Sequence, residues 1–112
     1  MKTLKDITAD KGTIRSQILE DADGDITYIK DVASHGCIGG ACRNLIYYND
    51  TKKFYQDHAD EIDELLQEYE DAAGESILKT ANTNGNLQNF LAWFAYEYEA
   101  QKIMREIDPD NY

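Results

Sequence analysis

The chain has 112 residues and a mass of 12.8 kDa, room for one domain and one core, since domains run to roughly 100–200 residues. Eleven Lys and Arg against 22 Asp and Glu give a net charge of -11 and a pI near 4.4, which argues against binding phosphate backbones or anionic membranes and leaves basic molecules as the fitting partners. One proline, eight tyrosines and 11% aromatic residues exclude a disordered acidic tail, which would be poor in aromatics.

Apolar spacing is helical nearly throughout, with no run of strict alternation bounded by hairpin turns. A turn carrying Leu4 and Ile7 precedes a first helix with Ile14, Ile18, Leu19 and Ala22 on one side, ending at Asp23-Gly24. Asp25 is placed to cap a second helix bearing Ile26, Ile29, Val32 and Ala33, with Gly36 to stop it. A third segment carries Ile38, Cys42, Leu45 and Ile46. Asp50 or Thr51 then caps the longest predicted element, in which Phe54, Tyr55, Ile62, Leu65, Leu66 and Tyr69 recur at helical spacing until Gly74 closes it. A short helix follows through Ile77 and Leu78, and Asn82 to Asn86 is a loop. The last helix runs from Leu87 to Ile107, with Pro109 beyond its end. Its Phe90, Leu91, Trp93, Phe94, Tyr96 and Tyr98 surround it more than one apolar stripe would, which predicts a central position. The expected fold is all-α: a single compact bundle of four to six helices over residues 1–112, its aromatic-rich C-terminal helix at the centre.

Met1 to Asp10 lacks the apolar stretch of a secretory signal, and no window has the apolar length of a membrane span, so the cytoplasm is the expected compartment. Cys37 and Cys42 in a reducing compartment are free thiols rather than a disulfide.

Each motif that invites chemistry has a simpler explanation. Asp21, Asp23 and Asp25 suggest calcium, but an EF-hand loop starting at Asp21 needs Gly at its sixth position and Glu at its twelfth, where this chain has Ile26 and Val32. Helix ends and caps account for these aspartates. His35-Gly36-Cys37 pairs a base with a thiol, yet no third orienting group is identifiable. His35, Cys37, Cys42 and His58 do not have zinc-finger spacing. Cys37 and Cys42 are read as small buried hydrophobes around a turn. No Gly-rich phosphate loop is present, and abundant carboxylates dilute the evidence for a glycosidase pair. No catalytic residue, cofactor or metal is expected.

The charge is divided unevenly. Residues 1–53 hold eight basic and eight acidic side chains; residues 54–112 hold three basic and fourteen acidic ones. Between Phe54 and Leu78 nine acids occur with no Lys or Arg. On one continuous helix Asp57, Asp60, Glu61, Glu64, Glu68 and Asp71 follow spacings of three and four and share the face opposite Ile62, Leu65, Leu66 and Tyr69. Fourteen residues span about 21 Å. Six carboxylates then give one charge per roughly 4 Å, near the 3.4 Å per phosphate of a DNA strand. Two readings stay open: a solvated face that keeps the protein soluble, or a surface that engages a basic partner, in its narrower form by imitating nucleic acid.

The segments His35-Gly36-Cys37-Ile38-Gly39-Gly40, Leu45 to Thr51 with Phe54-Tyr55, Glu61-Ile62 with Leu65, and Asn89 to Glu97 resemble a family of small bacterial proteins of unassigned function found on phages, plasmids and other mobile elements. The resemblance supplies a genetic setting and no catalytic residues. A mobile-element setting favours small acidic proteins that block host nucleases by occupying their nucleic-acid grooves.

The resulting expectation is a non-catalytic acidic protein that binds a basic, in its narrower form nucleic-acid-binding, partner through the Asp57 to Asp71 face. It binds neither nucleic acid directly nor membranes. The alternative is a structural module that self-associates through Tyr47, Tyr48 and the aromatic surface of Leu87 to Tyr98. A Cys/His-dependent enzyme ranks third.

Overall fold

The computed structural model describes residues 2–34, 51–80 and 87–112. Among them are a 3-10 turn, Leu4–Asp6, and six helices: α1 Ile14–Ala22, α2 Ile26–Ser34, α3 Thr51–Asp57, α4 Ala59–Ala73, α5 Ile77–Thr80 and α6 Leu87–Ile107, with no strand. The third sequence segment, the turn at His35 to Cys37, Gly36, and the Asn82 to Asn86 loop lie outside the described residues.

Local chemistry sets the ends of these elements. The Thr13 hydroxyl accepts from Ser16 N at 3.1 Å and opens α1, satisfying a donor that a helix start leaves open. Asp23, in the left-handed region at φ 47°, ends α1 by donating its N–H to Leu19 O and Glu20 O. The Asp25 carboxylate accepts from Thr27 N at 2.9 Å at the entry to α2. Gly74, at φ 72°, closes α4 with its N–H on Glu70 O, a left-handed stop that costs glycine no steric strain.

α6 is the centre of the bundle: α1, α2, α3 and α4 all pack on it. Buried positions run around the whole helix, among them Phe90, Phe94, Ala95, Tyr96, Ile103 and Met104. Ile14 and Ile18 of α1, Ile29 and Val32 of α2, Phe54 of α3, and Ile62 and Leu65 of α4 complete the core around it. The radius of gyration is 13.4 Å, close to the ~13 Å of a compact domain of this length.

One sequence expectation is corrected. The helix predicted from Asp50 or Thr51 to Gly74 is two helices, broken at His58, whose φ of -125° and ψ of 22° lie outside the helical region. The His58 N–H still bonds Phe54 O and Tyr55 O, while its carbonyl accepts from Ile62 N at 2.8 Å. His58 therefore ends α3 and begins α4. The break places Asp60 and Glu61 in the first turn of a new helix, where the positive end of the dipole favours carboxylates; in a continuous helix they would be interior.

Candidate functional site

The acidic surface is built on α4. Its apolar stripe, Ile62, Leu65, Leu66 and Tyr69, faces the core. Tyr69 meets Phe94 and Tyr98 edge-on, with ring centroids 5.2 and 5.6 Å apart, which fixes the rotation of α4 against α6. Opposite this stripe, at offsets of four, three and four residues, Asp60, Glu64, Gln67 and Asp71 form the outermost ridge, all exposed.

The structure separates the six carboxylates read as one face. Asp57 is the last residue of α3, exposed beside the His58 break. With Gly12, Gln56, His58, Ala59, Asp60 and Glu61 it lines an open hollow of about 330 Å³. Glu61 turns toward α1, where both carboxylate oxygens accept from Ile14 N at 3.0 and 3.1 Å. His58 Nδ1 lies 3.4 Å from the same carboxylate. Glu68 turns toward α6, accepting from Lys102 Nζ at 3.1 Å and Tyr98 Oη at 3.4 Å. Only Asp60, Glu64 and Asp71 of the six stand on the outer ridge, and Asp71 accepts from Gln67 Nε2 at 2.8 Å. Asp63 is exposed beside the ridge. On the other flank Glu70 accepts from Ser76 Oγ and Ile77 N at 3.1 and 3.2 Å, opening α5.

A second polar group lies where α1 crosses α6. Arg15 donates from Nε to Glu99 at 2.7 Å and from Nη1 to Glu106. Glu99 is only 5% exposed, and Lys102 Nζ stands 3.8 Å from its other oxygen. Burial pulls the Arg15 pKa down, but the hydrogen bonds it donates to Glu99 and Glu106, with their charges, outweigh it and hold the guanidinium above its ordinary value. The Arg15 hydrogen bond keeps the Glu106 carboxyl below the usual range. Arg15, Glu61 and Glu99, with Thr8, Ala9, Asp10 and Thr13, line a shallow cleft of about 450 Å³. Burial, and next the Glu68 charge, push the Tyr98 phenol up.

Sequence reasoning missed the Arg15–Glu99 pair, although a signal existed. A carboxylate set between Tyr98 and Ala100 on an aromatic-rich helix needs a cation, and residues 54–112 contain only Lys79, Lys102 and Arg105. Asp21 also has a function beyond helix termination: it accepts from the Oη of fully buried Tyr96 at 2.7 Å, and Tyr28 Oη lies 2.8 Å from Tyr96 Oη.

The aromatic residues of α6 mostly face inward. Phe90, Phe94, Tyr96 and Tyr98 are buried, Trp93 is half-buried, and Leu87 is exposed. These rings fill the core around α6 instead of covering an outer face. Tyr47 and Tyr48 lie outside the described residues, as do His35, Cys37 and Cys42. Among the described residues no group of three or more His, Cys, Asp or Glu is arranged to hold a metal ion. No described helix is long and apolar enough to cross a membrane.

Fold and site together define an all-helical domain with a one-sided acidic helix packed on a central aromatic one. The chain belongs to the family described as a domain of unknown function (DUF7222), which matches it over residues 3–109. No curated protein and no solved structure matches it.

Proposed function

We propose that this chain is a non-catalytic interaction protein of the cytoplasm, encoded on a mobile element, that binds a basic protein through the outer ridge of α4. Asp60, Glu64 and Asp71 form the contact, extended by Asp63 and by Asp57 across the break. The observation that carries this reading is the contrast in occupancy along α4. Carboxylates facing neighbouring elements cap helices or pair with Lys102, whereas Asp60, Asp63 and Glu64 are exposed and have no ion pair among the described residues. Asp60 stands at helical spacing from both Asp63 and Glu64, and such like-charged neighbours cost about 0.2–0.5 kcal/mol each. A basic partner turns that cost into attraction.

A nucleic-acid-binding host protein is the narrower form of this reading, supported by the resemblance to mobile-element proteins. Three ridge carboxylates over about 17 Å are sparser than one phosphate per 3.4 Å of DNA strand. That spacing favours a general basic surface over close imitation of nucleic acid.

The test is a pull-down from host lysate with the wild type and an Asp60→Lys/Glu64→Lys/Asp71→Lys variant, read at two salt concentrations. Glu61 and Glu68 stay unchanged because they bond to α1 and α6. The wild type is expected to capture a basic protein that is released as salt rises, since exposed charges are screened over about 10 Å at 0.1 M, and the variant to lose it. Equal capture by both sinks the proposal. Release by added duplex DNA supports the narrower form.

A further inference from the structure

No further inference is drawn: the strongest candidate, the polar cleft of about 450 Å³ between the N-terminal segment, α1, α4 and α6, has Arg15, Glu61 and Glu99 already bonded within the fold, and nothing in the structure shows what would occupy it.

Discussion

The two sides of α4 use the same chemical group in opposite ways. On its flanks Glu61, Glu68 and Glu70 join α4 to α1, to α6 and to the start of α5. On its outer side Asp60, Asp63 and Glu64 join nothing among the described residues. One residue of displacement, from Asp60 to Glu61, separates the two fates, because each step along a helix turns the side chain by about 100°. An acidic helix is therefore both fastening and surface, and substitutions can tell the two apart.

The largest effect is expected inside the bundle, where a carboxylate is most dependent on its partner. Arg15→Met leaves Glu99 buried with Lys102 as its remaining cation among the described residues, and should cost about 2–4 kcal/mol in urea unfolding. A loss under about 0.5 kcal/mol, ordinary for a surface change, would show that the pair does not fasten α1 to α6. The same variant tests Glu106, whose lowered pKa contributes stability that is present above its ordinary 4.5 and lost as pH falls through the lower folded value. With Met at position 15 that acid-side loss should diminish.

A smaller effect separates the flank of α4 from its ridge. Glu61→Ala removes the acceptor for Ile14 N and should cost about 1–2 kcal/mol, with Glu61→Gln recovering part through its amide oxygen. Glu64→Gln should fall within about 0.5 kcal/mol. Equal costs for the Ala and Gln pair and for Glu64→Gln would erase the contrast.

The smallest effect is a titration. Tyr98 is held neutral above its ordinary 10.0, so the associated stability is present below that value and lost as pH rises through the higher folded one. Alkaline absorbance should show a late-ionising tyrosine that is lost in a Tyr98→Phe variant. Glu68→Gln removes the carboxylate charge and should move it only part of the way back, because burial, the largest single cause, remains. A full return would assign the shift to Glu68 alone.

Features that depend on neighbours in sequence were legible. Asp23-Gly24, Gly74, the Asp25 cap and the end of α6 follow from local turn chemistry and helical period, and the aromatic excess around α6 implied its central place. The His58 break escaped because Phe54, Ile62, Leu65 and Tyr69 keep helical spacing across it, so the apolar pattern carries no mark of the change in direction. Neither Gly nor Pro stands there to signal it. The occupied carboxylates escaped for another reason: Glu61 meets Ile14 across 47 positions, Asp21 meets Tyr96 across 75, and Arg15 meets Glu99 across 84. Single-sign charge marked the helix, but only its packing showed which charges were already in use.

The central place of α6 also governs the order in which the molecule can assemble. During synthesis α1 to α5 leave the ribosome before the helix on which α1 to α4 pack, so their apolar stripes have no final partner until residues 87–107 emerge. Long sequence separation slows folding even among helical proteins, and apolar surface exposed meanwhile invites aggregation. A chain cut after residue 86 should show weak helical circular dichroism and bind hydrophobic dyes, and a stably folded fragment would contradict this. The nascent chain thus acquires its core only once α6 has emerged, and interruption before α6 would leave the species most in need of chaperones.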